Sequence, residues 1–172
     1  LLLLGAGGFL WLLGGSTPSG PPVGGAWSLT QDGGVRVSDR DFRGRTMLIY
    51  FGYTSCPDVC PTTLAAIADA LRIVGPRGDA IVPLFITVDP AHDTGPVVRH
   101  YARQFDPRFV GLTGRPDEIA RIEAQFGIRS RVVDGSIDHT AVLVVVGPDG
   151  RTRVALPAEE SGAALARRLA GS

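Results

Sequence analysis

Three apolar runs dominate the chain: TMLIYFGY at 46–53, AIVPLFITV at 80–88 and TAVLVVV at 140–146. Runs this long, with almost no polar interruption, predict strands buried on both faces of a sheet. Helical spacing fills the stretches between them. Leu64, Ile67, Leu71 and Val74 fall on one face after Pro61; Val97, Tyr101 and Phe105 share another, as do Ile119, Ile122 and Phe126. A last helix through Leu165 and Leu169 is expected to start near Pro157 and the acidic pair Glu159 and Glu160. Two hairpins are signalled, one by Asp32-Gly33-Gly34 within WSLTQDGGVRVS, the other by Pro148-Asp149-Gly150 within VGPDGRTRVAL. Strands alternating with helices and closing on a hairpin predict an α/β sandwich, a sheet with helices on both faces.

The first residues break this pattern. LLLLGAGGFLWLLGG carries no charge, and no methionine precedes it. Crossing a bilayer takes about 20 residues, so segment 1–13 is expected to be the remaining part of an N-terminal membrane anchor or signal segment. No small-x-small cleavage signal follows it, which favours an uncleaved anchor. GGSTPSGPPVGG at 14–25 is rich in Gly, Pro and Ser and reads as a tether. The folded domain is expected over 26–172, outside the cytoplasm.

Composition narrows the partners. The 172 residues hold 17 basic and 17 acidic side chains, so no bulk charge draws the protein to nucleic acid or anionic lipid. There are only two cysteines, Cys56 and Cys60. They cannot form a disulfide scaffold, and a domain of this size does not need one.

The two lie in YFGYTSCPDVCPTT, each followed by a proline. A proline fits the first turn of a helix and pushes the residue before it out of helical geometry. Pro61 is therefore expected to open a helix with Cys60 just outside it, and Pro57 to keep Cys56 extended at the end of a strand. Near a helix N-terminus, backbone N–H groups and the helix dipole favour thiolate, the form that attacks disulfides and binds soft metals. A stapling disulfide would gain little from closing so short a loop. Three residues separate the cysteines, where a thioredoxin-type pair has two. Nor is there a proline between Asp117 and Gly147 to enter the strand facing them, as the thioredoxin cis-proline does.

What precedes that strand is IDHT, with His139. An isolated histidine is ordinarily a partly buried core residue; here the topology brings it toward the cysteine loop and makes it a candidate ligand. Two thiolates and one imidazole suit Cu(I) or Zn, while a structural zinc site would want four ligands. His92 in DPAHDT and His100 in a helical stretch have no cysteine beside them and are expected to be loop and surface residues.

FGYTSCPDVCP, FITVDPAHDT, the FVGLTG at 109–114 and IDHT ahead of VLVVVGPDG stand in an order that resembles the Sco/SenC family of copper proteins of cytochrome c oxidase assembly. The resemblance spans about residues 27–170. It implies a thioredoxin-like fold with a central mixed sheet behind an N-terminal membrane anchor. It also implies copper bound by Cys56, Cys60 and His139, with Asp89 near the site and Asp58 shaping it or meeting a partner. The implied role is a copper metallochaperone delivering to the CuA centre of the oxidase. Its expected partners are the copper-binding oxidase subunit, a copper donor chaperone and a thiol reductant, at the inner membrane and facing the periplasm. A thiol–disulfide oxidoreductase acting on the CuA cysteines is the alternative, since the same thiolates would serve it. His92 departs from the family pattern and offers an adventitious ligand.

Overall fold

A computed structural model describes residues 24–170. The expected anchor at 1–13 and most of the tether at 14–25 lie outside the described residues. The chain runs β1 (Ser28–Thr30), β2 (Arg36–Ser38), β3 (Thr46–Gly52), α1 (Val59–Val74), β4 (Ile81–Thr87), α2 (Gly95–Arg103), β5 (Val110–Leu112), α3 (Pro116–Phe126), β6 (Ser130–Val133), β7 (Ser136–His139), β8 (Val142–Val146), β9 (Thr152–Pro157) and α4 (Gly162–Ala170).

Five strands form the central sheet in the order β5-β4-β3-β8-β9. Strands β3, β4 and β5 run parallel, and β8 and β9 add antiparallel partners, so the sheet is mixed. Side chains alternate across a strand, and neighbouring residues of β3 show what covers each face. Tyr50 pairs in register with Phe85, whose ring meets Tyr101 of α2 at 5.5 Å. The next residue, Phe51, points the other way and meets Phe126 of α3 at 5.8 Å. Helices α1 and α2 therefore cover one face, with α4 packed along α1, and α3 covers the other. The continuous apolar runs follow directly: β3 from Met47 onward and all of β4 are buried.

Several elements differ from expectation. Helix α2 buries Val98 and Ala102, while Val97 is 42% exposed. The cause is Gly111 on β5: a Cβ there would lie 2.8 Å from Val98 and Arg99 backbone atoms, so the helix backbone itself rests on the strand. Helix α4 starts at Gly162 because β9 continues to Pro157. The hairpin β6–β7 was not anticipated. It stands outside the central sheet and turns at Asp134 and Gly135, both at positive φ, as a two-residue hairpin loop requires. Among the described residues only Val59–Ala80 is long and apolar enough to cross a membrane; it contains α1, which packs into the core through Leu64, Ile67 and Leu71.

Candidate metal centre

Strand β3 ends at Gly52 and α1 begins at Val59, so Cys56 lies on the connecting loop, as expected. Cys60 does not. It is the second residue of α1, with Asp58 at the N-cap position and Pro61 third. Proline is tolerated there because N–H groups of the first helical turn have no intrahelical acceptor. The free N–H of Cys60 is instead directed at the Sγ of Cys56, 3.4 Å away. Cys56 in turn donates its own N–H to the Tyr53 carbonyl at 3.2 Å, which tightens the loop.

The two thiols occupy different surroundings. Cys56 is partly exposed and Cys60 is fully buried; neither is in a disulfide. The Tyr50 hydroxyl donates to Cys60 Sγ at 3.6 Å. Gly52 makes room for that sulfur, since a Cβ at position 52 would stand 2.9 Å from it. Burial first, and then the contact with Cys56, push the Cys60 thiol up to about 12 against smaller opposing bonds from Tyr53 and Tyr50. The thiolate expected from the helix N-terminus is thus overturned at Cys60: desolvation outweighs the helix end.

His139 closes β7 and brings its ring to this sulfur, with Nε2 3.9 Å from Cys60 Sγ. Tyr50 and Tyr53 hold the ring edge-on, with centroids at 6.3 and 6.1 Å. Its Nδ1 lies 3.2 Å from the Thr140 carbonyl. A carbonyl only accepts, so Nδ1 carries the proton and Nε2 presents its lone pair to the cysteines. Burial holds the imidazole below its ordinary 6.5, against weaker effects of Thr140 and Asp138. A hydrogen bond of 2.9 Å between the Tyr53 and Ser136 hydroxyls pins β7 to the cysteine loop. Between them lies an open cleft of about 240 Å³ lined by Cys56, Asp58 and His139 among others.

This donor set fits a soft metal. Two ligands about 2.0–2.3 Å from a shared ion stand roughly 3.5–4 Å apart, which matches the separation of Cys60 and His139. Among the described residues no three such side chains are already gathered at coordination spacing.

The remaining candidates sit further out. Asp58 is exposed at the rim of the cleft and caps no N–H of α1 with its side chain. Asp89 pairs with Nδ1 of His92 at 2.9 Å, and that bond raises the His92 pKa. His92 and His100 are both exposed. Sequence reasoning missed three residues that build the site: Tyr50, Gly52 and Asp93. Asp93, 2% exposed, accepts hydrogen bonds from the Thr54 N–H at 2.9 Å, the Thr54 hydroxyl at 2.5 Å and the Thr87 hydroxyl at 2.6 Å.

Residues 15–172 match the SCO1/SenC family. The chain belongs to that family. It is 37% identical over 139 residues to human "Protein SCO1 homolog, mitochondrial", covering 76% of this chain and 46% of that protein. The chain covers about half the length of the curated human and fission-yeast relatives it matches. Among solved structures, Bradyrhizobium japonicum ScoI with copper bound superposes with a TM-score of 0.78 at 36% identity, covering 87% of this chain and 98% of that one. Arabidopsis thaliana ScoI with copper bound gives 0.82 at 30% identity, covering 87% and 96%. The mixed sheet flanked by helices is the fold of these SCO1/SenC relatives.

Proposed function

We propose that the protein is a copper metallochaperone that holds one copper ion between Cys56, Cys60 and His139 and delivers it to the CuA centre of cytochrome c oxidase. The observation that carries this reading is the approach of His139 Nε2, lone pair first, to within 3.9 Å of Cys60 Sγ at the head of the cleft beside Cys56. Copper-bound relatives at 30% and 36% identity support the choice of metal.

Copper here is cargo, so the site must both hold and release. Cys60 is buried, whereas Cys56 and His139 are partly exposed on the cleft, where an incoming acceptor thiolate meets Cys56. A stepwise exchange would displace Cys56 first and Cys60 last. Loading requires both cysteines reduced and costs Cys60 its proton. Asp58 at the rim is the acidic contact for a partner. The proposal also includes an anchor at 1–13, a tether at 14–25, a domain at 26–172 facing the periplasm, a copper donor and a thiol reductant.

One observation favours a second role. The two free thiols are adjacent across a single tight turn, with Cys56 reachable and Cys60 protected. Such a dithiol can reduce an acceptor disulfide, passing on two electrons and two protons and closing its own disulfide. The deciding experiment offers the copper-loaded protein a reduced apo CuA domain, and the reduced metal-free protein an oxidised one. Copper appearing in the first, with slow reduction in the second, supports the metallochaperone; the reverse pattern assigns the oxidoreductase.

A further inference from the structure

We propose that Asp93 is the positioning residue of this site, acting through Thr54 to fix the loop that carries Cys56. The inference rests on the reading of Cys56 as a ligand. Asp93 lies just before α2, on the segment that follows β4, and makes no contact with the cysteines themselves. Its carboxylate gathers three donors. One oxygen accepts from the Thr54 N–H and the Thr87 hydroxyl, and the other accepts from the Thr54 hydroxyl. Thr87, the last residue of β4, accepts the Asp89 N–H at 2.9 Å, and the Asp93 N–H donates to the Asp89 carbonyl at 2.9 Å. The carboxylate therefore ties three segments together: the exit of β3, the end of β4 and the start of α2.

The loop it holds is short. Between Thr54 and the start of α1 at Val59 there are only Ser55, Cys56, Pro57 and Asp58. Its far end is fixed by the helix. Its near end is fixed at Thr54 by two of the three bonds to Asp93. Release of that end loosens Cys56, whose sulfur accepts from the Cys60 N–H at 3.4 Å.

Stability alone does not account for a carboxylate here. Among the described residues no ion pair reaches the buried Asp93 carboxylate, whose direct partners are the hydroxyls of Thr54 and Thr87 and the Thr54 N–H. Such an arrangement is costly to assemble and gives geometric definition in return. Bonds to a charged acceptor are also the shorter and stronger ones, which suits a clamp on the loop that carries Cys56.

The test uses the reduced protein and reads two rates: alkylation of Cys56 by iodoacetamide without metal, and loss of Cu(I) to a chelator after loading. Loss of three charge-assisted bonds in Asp93→Ala should raise both by about tenfold or more. Asp93→Asn keeps an acceptor for the Thr54 N–H and an amide that the Thr54 hydroxyl can meet but loses the charge, and should fall between wild type and Asp93→Ala. Thr54→Val removes one bond and should move both rates the same way by about threefold; it decides the matter if Asp93→Ala does not fold. Arg36→Ala, which breaks the ion pair with Glu118 on the other side of the sheet, is the stability control and should leave both rates unchanged. Wild-type rates in folded Asp93→Ala, or equal acceleration in Arg36→Ala at matched melting temperature, would overturn the proposal. A wild-type protein that takes up no Cu(I) would remove the copper reading, and the alkylation rate would then decide on its own whether Asp93 positions Cys56.

Discussion

Gly52 and Cys60 touch so closely that position 52 has no room for a side chain: an added Cβ would lie 2.9 Å from Cys60 Sγ and 2.9 Å from Phe85 Cε2. The backbone at Gly52 is ordinary strand, so space is the reason for the glycine. Gly52→Ala should cost about 1–3 kcal/mol through overpacking and push the Cys60 sulfur away from His139. Thermal unfolding and Cu(I) retention, read together, check this; unchanged values in both would mean the sulfur is free to move.

The difference in burial between the thiols predicts a difference in reactivity. With Cys60 pushed up to about 12, thiolate forms there rarely at neutral pH. Iodoacetamide at about pH 8 should label Cys56 at least tenfold faster than Cys60, because thiolate is the nucleophile and access is required. Peptide mapping of partly labelled protein gives the ratio. Equal labelling would contradict the buried placement of Cys60.

His139 predicts a pH dependence with a definite sign. Its folded pKa is held below 6.5 by burial, so folding favours the neutral ring and the unfolded chain binds more protons. The contribution to stability is present above pH 6.5 and is lost as pH falls through the lowered value. Exposed His92 has the opposite shift, and comparing wild type with His139→Gln leaves its contribution unchanged. Below pH 6.5 the metal-free wild type should lose melting temperature more steeply than His139→Gln. Parallel slopes would show that the ring is not held neutral.

Strands β3, β4 and β8 were legible because cover on both faces produces continuous apolar runs, and the turn at Asp32-Gly33-Gly34 announced the hairpin β1–β2. The three-residue β5 left no such trace, and its Gly111 is what turned α2 by one position. Hairpin β6–β7 has little buried surface to impose alternation: Val132 is 76% exposed, and only the Asp134-Gly135 pair marks it.

Cys56, Cys60 and His139 were legible as a candidate soft donor set, and the fold brings two of them, Cys60 and His139, to 3.9 Å. The state of the thiols was not legible. Local sequence placed Cys60 near a helix end that favours thiolate, but its burial comes from the fit against Gly52 and Tyr50. Asp93 was unreadable for a related reason: an aspartate in a Pro-containing loop is ordinary until its three donors, from residues 54 and 87, are brought to it.

The central claim is that His139 completes a three-ligand copper site with Cys56 and Cys60. It is tested most directly by the Cu(I) affinity of the reduced protein, wild type against His139→Ala, with the disulfide-exchange rate measured on the same samples. Outer partners of a metal ligand are worth about 10–100-fold in affinity, so removing the ligand itself should cost about a hundredfold or more while exchange stays within about twofold. Undiminished Cu(I) affinity in folded His139→Ala would contradict the site described here.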